Sequence, residues 1–120
     1  LATMIAFMEE HLSEQITVAD IGGSCDIKER QCLRIFQDYL HVSPMQYLMS
    51  RRLEEAADLL ASAKILKVSE ISKRCGFVSS SYFIKLFKRA YGQTPSQYAT
   101  GSNPAKQLDN PLDALSDFFG

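Results

Sequence analysis

Val18-Ala-Asp-Ile-Gly-Gly-Ser-Cys-Asp-Ile27 and Val68-Ser-Glu-Ile-Ser-Lys-Arg-Cys-Gly-Phe77 are two copies of one pattern, 50 residues apart. After one extra residue in the second turn, Leu33-Arg-Ile-Phe36 lies over Ile84-Lys-Leu-Phe87, and Ser43-Pro-Met-Gln-Tyr47 lies over Thr94-Pro-Ser-Gln-Tyr98. A supersecondary unit that occurs twice constrains the architecture more than any single window does. Each copy reads as a short helix, a tight turn and a longer helix. Gly76 stands where a left-handed residue ends the second short helix. Asp26, which tolerates that conformation better than most residues, takes its place in the first. A turn of this length with a turn-forming residue is the helix-turn-helix pattern.

Outward from the repeat, apolar residues recur at helical spacing and nothing reads as a strand of period two. Leu1, Met4, Ile5, Met8 and Leu12 form the first stripe. In the two longer helices the core-facing stripes are Cys32, Ile35, Phe36 and Tyr39, and Phe83, Leu86, Phe87 and Ala90. Their opposite faces carry Arg30, Arg34 and Gln37, and Ser81, Lys85 and Lys88. Between the units Pro44 to about Leu60 reads as one helix, with Met45, Leu48, Met49, Leu53, Ala56, Ala57 and Leu60 inward and Arg51, Glu55 and Asp58 outward. Thr17 with Asp20, Ser43 with Gln46, and Thr94 with Gln97 have capping-box spacing, and Pro44 and Pro95 sit at first helical positions. Ser79 is placed to cap the helix after it, whereas Lys28, in the same place of the first unit, is a poor cap.

The expected fold is all-α, with about seven helices in two helix-turn-helix subdomains joined by a long connecting helix. Residues 1–42 form the first subdomain, 43–61 the connecting helix, 62–99 the second subdomain and 100–120 a tail. In the tail, Asn110-Pro111 can open a short helix with Leu112, Leu115, Phe118 and Phe119 on one side. Docking on the domain, contact with a partner and absence of fixed structure all remain open for it.

Composition narrows the function. The 120 residues suffice for one or two modest cores. The net charge of −1 counts against nucleic-acid binding, yet residues 26–99 hold 12 bases against 7 acids, a net +5 between acidic ends. Such a middle is compatible with a DNA surface on one side of the molecule. The three cysteines, Cys25, Cys32 and Cys75, fit neither a zinc site nor a disulfide framework and read as reduced packing residues. His11 and His41 lack ligand-spaced neighbours, so no metal, cofactor or triad chemistry is expected. With no paired carboxylates at a plausible site and no phosphate loop, an enzyme is not expected. No signal peptide or membrane span is read, so the expected location is the cytoplasm. The first residue, Leu1, is read as the start of an excised fragment or of a processed chain, with an effector or dimerisation domain expected N-terminal to it.

The joining-helix residues Arg52-Leu53 and Ala56, the triplet Cys75-Gly76-Phe77, and the run from Ser81-Tyr82-Phe83-Ile84-Lys85-Leu86-Phe87-Lys88-Arg89-Ala90-Tyr91-Gly92 to Gln93-Thr94-Pro95-Ser96-Gln97-Tyr98 together resemble the C-terminal DNA-binding domain of the AraC/XylS transcription regulators. The resemblance spans roughly residues 1–99. It implies double-stranded DNA as partner, transcription activated beside RNA polymerase, and the second helix of each unit in a major groove. Carried over by position, it puts base or groove contacts on Arg30, Gln31, Leu33 and Arg34 and on Ser80, Ser81, Tyr82 and Lys85.

The chemistry of these side chains agrees. Arg30 and Arg34 are one turn apart, and each guanidinium can donate two hydrogen bonds to guanine O6 and N7. Leu33 and Tyr82 suit thymine methyls, and the Ser80 and Ser81 hydroxyls near a helix start suit phosphate. Lys28, Arg52, Lys88 and Arg89 are further candidates for phosphate contact, although Arg51 and Arg52 can instead pair with Glu55 or Asp58 along their own helix. The rival reading is a helical protein-interaction module that has lost DNA recognition, motivated by a pI near 6.1 and the acidic, apolar tail.

Overall fold

The computed structural model describes residues 1–62 and 67–100, and the tail helix expected after Asn110 lies outside them. Seven helices and no strand occur among the described residues: α1 (Ala2–Glu10), α2 (Val18–Gly23), α3 (Glu29–Leu40), α4 (Pro44–Ser62), α5 (Val68–Arg74), α6 (Ser80–Tyr91) and α7 (Pro95–Thr100).

Local chemistry places several of the helix ends. Thr17 and Asp20 form a reciprocal capping box at α2, with the Asp20 N–H donating to Thr17 Oγ1 at 3.2 Å and the Thr17 N–H donating to the Asp20 carboxylate at 2.9 Å. Thr94 and Gln97 do the same at α7. Ser43 Oγ accepts from the Gln46 N–H at 3.1 Å, so α4 starts with Pro44 where a missing N–H costs nothing. The two longer helices match in length at 12 residues each but differ at their starts. Ser79 caps α6 through the Tyr82 N–H, whereas Lys28 precedes α3 with no side-chain cap. Both end on a left-handed residue, His41 at φ 60° and Gly92 at φ 74°.

Two cores result. Met4, Met8, Ile21, Cys32, Phe36 and Leu48 close the first unit, and Leu53, Ala56, Ile71, Phe83, Leu86 and Phe87 are central to the second. Helix α4 feeds both, its N-terminal half packing on the first and its C-terminal half on the second. The second core is aromatic: Phe87 stacks on Tyr91 with ring centroids 4.6 Å apart and meets Tyr98 edge-on at 5.4 Å. Each fully buried side chain of this size contributes about 1.5–3 kcal/mol.

Two expected core assignments in α3 need correction. Tyr39 is 71% exposed and Ile35 half-buried, while Cys32 and Phe36 are buried as expected. The place of Tyr39 is held in the second unit by the small, buried Ala90. Tyr39 instead stands out to solvent, and Leu40, four residues after Phe36, packs against the core.

Candidate nucleic-acid interface

Because α3 begins at Glu29 and α6 at Ser80, the two helices superpose in sequence at an offset of 51. Arg30 then corresponds to Ser81, Gln31 to Tyr82, Leu33 to Ile84 and Arg34 to Lys85. All eight lie in the first two turns of their helices, on the side away from the core, and all are exposed. Ser80, one position earlier, is half-buried. The helix period explains the grouping: with Cys32 and Phe36, or Phe83 and Phe87, fixed inward, these positions must face outward.

Ile84 was missed by the sequence reading. At 39% exposed it matches Leu33 at 43%, and both are large apolar side chains held out to solvent at the same step of their helices. Applying the 51-residue offset to Leu33 finds it directly. Tyr82 is 38% exposed, and partial burial pushes its phenol up from the ordinary value.

The electrostatics of the two faces differ. Helix α6 carries Lys85, Lys88 and Arg89 with no acid in its sequence, whereas α3 offsets Arg30 and Arg34 with Glu29 and Asp38. Lys28, Arg30, Gln31, Arg34, Ile35 and Asp38 line a shallow concavity on the first unit. Lys88 and Arg89 are exposed in the last turn of α6, where positive charge also complements the helix dipole.

Arg52, expected as a phosphate candidate or an intrahelical ion pair, is neither. It is 3% exposed, and its guanidinium donates from Nε to the Leu12 carbonyl at 2.8 Å and from Nη2 to the Glu14 carbonyl at 2.6 Å. Burial lowers its pKa from the ordinary value, though an arginine keeps its proton throughout the accessible range. Arg51 pairs with Glu9 of α1 and Glu54 rather than with Glu55 or Asp58.

No group of three or more His, Cys, Asp or Glu that could hold a metal ion occurs among the described residues, and no described helix is long and apolar enough to cross a membrane.

Comparison with known proteins bears on the family and the fold. Residues 24–101 match the family described as a helix-turn-helix domain. The chain is 34% identical over 101 residues to the HTH-type transcriptional regulator GbdR of Pseudomonas aeruginosa, covering 84% of this chain and 27% of that protein. It is 32% identical over 92 residues to the probable transcriptional regulator LumQ of Photobacterium leiognathi, covering 77% of this chain and 37% of that one. The chain therefore spans about a third of the length of these curated relatives. Among solved structures, the DNA-binding domain of AdpA, crystallised with a target DNA, superposes with a TM-score of 0.79 at 29% identity, over 86% of this chain and 92% of that one. An AraC-type DNA-binding domain protein from Chromobacterium violaceum gives 0.79 at 26% identity, over 88% and 92%.

Fold and relatives define a helix-turn-helix domain of DNA-binding transcription regulators, a class that is not enzymatic. Within that class the chain belongs to the AraC family.

Proposed function

We propose that this chain binds double-stranded DNA sequence-specifically, with α3 and α6 in successive major-groove segments on one face of the duplex. The observation that carries the reading is the pair of 12-residue helices presenting outward residues at the same four positions: Arg30, Gln31, Leu33 and Arg34 on one, Ser81, Tyr82, Ile84 and Lys85 on the other. The molecule measures 44 × 24 × 22 Å, and its long axis has room for two helices spaced by one turn of B-DNA, about 34 Å. One chain would then read an asymmetric site of about two turns. Where the spacing of the helices departs from straight B-DNA, the duplex bends to meet them at a cost of about 1–6 kcal/mol.

Lys28, Lys88 and Arg89 are assigned to phosphates and Ser80 to the start of the α6 contact. In this reading the regulator activates transcription beside RNA polymerase in the cytoplasm, and the recognition domain acts with a sensing or dimerisation domain. The greater length of its relatives favours that last point.

The test is selection of bound sequences from a random duplex library at two salt concentrations. Enrichment of a two-part asymmetric motif spanning about two turns, with affinity falling steeply in salt, is the expected result. Absence of any enrichment, with no retention at low salt, would overturn the reading.

A further inference from the structure

The two units touch at a junction centred on the loop between α1 and α2. Arg52, on α4, holds this loop through its bonds to the Leu12 and Glu14 carbonyls. Gln15, in the same loop, donates from Nε2 to the carbonyl of Gly76 at 2.9 Å, across 61 residues of sequence. Gly76 is the turn of the second helix-turn-helix, at φ 93°. A Cβ at Gly76 would lie 2.7 Å from the Leu12 carbonyl oxygen and 2.8 Å from Arg52 Nε, so the turn backbone rests directly on both. The contacts Leu12–Arg52, Arg52–Gly76 and Gly76–Gln15 thus form a ring linking three segments distant in sequence.

The ring sits close to both reading helices. Gly76 precedes the start of α6 by four residues, and Gln15 precedes the start of α2 by three, with α2 packed on α3. Any rotation of one unit against the other about α4 must break the Gln15 bond or push the Gly76 backbone into Arg52. A buried guanidinium whose partners are carbonyls resists such movement, since losing either hydrogen bond leaves the charge desolvated and unpaired.

We infer that this junction is a gauge: Arg52, Gln15 and Gly76 are positioning residues that fix the offset of α6 relative to α3, and so the spacing between half-sites that the domain accepts, without touching DNA. The inference rests on the two-helix reading above. Its physical basis is that one base pair advances the groove by about 3.4 Å and turns it by about 34°, so a rigid pair of helices meets both half-sites at one spacing and a loosened pair meets them at several.

The experiment compares the unaltered chain with Gln15→Ala and Arg52→Lys on the selected duplex and on duplexes with one or two base pairs added or removed between the half-sites. Residual dipolar couplings of the DNA-free chains are recorded in parallel. The unaltered chain should lose about tenfold in affinity for a one-base-pair change, the scale of a lost base contact. Both variants should keep the base preference within each half-site, show a penalty of threefold or less, and need separate alignment tensors for the two units where the unaltered chain needs one. Gln15 is exposed, so its truncation leaves both cores intact should Arg52→Lys fail to fold. A variant that weakens at every spacing by the same factor, with one tensor fitting both units, overturns the gauge. If the unaltered chain binds no duplex, the DNA reading fails, and the couplings still decide whether the junction holds the units together.

Discussion

Arg51 grips Glu9 with two hydrogen bonds, from Nε to Oε2 at 2.7 Å and from Nη2 to Oε1 at 3.0 Å, and so ties α1 to α4. Nη1 of the same guanidinium reaches Glu54 at 2.8 Å. The Arg51 bond holds the Glu9 carboxyl below the usual carboxylate range, against a smaller opposing effect of burial. A carboxylate with a lowered pKa stabilises the fold at neutral pH, and that contribution disappears as the pH falls through its folded-state value. Glu9 is 40% exposed and screened by solvent, so Glu9→Gln should cost no more than about 1 kcal/mol at pH 7. Melting of both proteins from pH 7 down to pH 3 checks this: the gap between them should narrow as the acid limit is approached. A gap constant across the range would mean that packing of α1, not the ion pair, is what Glu9 contributes.

Gly22 and Gly23 are adjacent in sequence and opposite in what they tolerate. A Cβ at Gly22 would lie 2.8 Å from the Ile27 carbonyl oxygen and 3.4 Å from Cys32 Cβ, whereas one at Gly23 meets nothing within 4 Å. Gly23 also lies in a helix without a positive φ. Gly23→Ala should therefore stabilise the chain by about 0.4–1 kcal/mol, through lost freedom of the unfolded state. Gly22→Ala should destabilise it by about 1–3 kcal/mol, because the turn into α3 has to open. Chemical denaturation of the two single variants measures both, and equal signs would refute the distinction.

Much of the fold was legible in the sequence because its determinants are local. The capping pairs Thr17 with Asp20 and Thr94 with Gln97 are three residues apart, and the left-handed positions of Asp26 and Gly76 follow from residue type and place in the repeat. Arg52 was misjudged for the opposite reason. Its two carbonyl partners lie 40 and 38 residues earlier in the chain, and helical periodicity carries no information about what another segment brings to a helix face. Tyr39 shows a related limit: helical spacing put it on the stripe with Cys32 and Phe36, which are buried, but spacing alone does not say how far along a helix the neighbouring elements reach, and Tyr39 stands 71% exposed.

The cysteines should separate cleanly by reactivity. Cys75 is 1% exposed, and burial pushes its thiol up to about 12; Cys32 is fully buried and also raised, mainly by burial. Because the thiolate is the reacting form, a thiol of pKa about 12 is ionised at pH 8 to the order of one part in ten thousand. Cys25 is half-buried. Titration of the native chain with a chromogenic disulfide at pH 8 should show one fast thiol, abolished by Cys25→Ser, and three in denaturant. Two or more fast thiols in the native chain would mean that one of the cores opens on the timescale of the reaction.

Arg34 and Lys85 hold equivalent places on α3 and α6, but their surroundings predict different consequences of losing them. Arg34 has Asp38 one turn further along its helix, so the first unit attracts phosphate weakly in general and depends on what its groove residues meet. On the selected duplex Arg34→Ala should cost about 1–3 kcal/mol and relax the preference at one base pair. Lys88 lies on an acid-free helix and should act on every sequence alike. Lys88→Ala should reduce the slope of log K against log salt by about 0.9, the loss of one phosphate contact, while leaving the order of preferred sequences unchanged. Binding of both variants to the selected duplex and to a scrambled one, at three salt concentrations, separates the roles. Should Arg34→Ala weaken the two duplexes equally, Arg34 is a phosphate contact and base reading in the first unit falls to Arg30, Gln31 and Leu33.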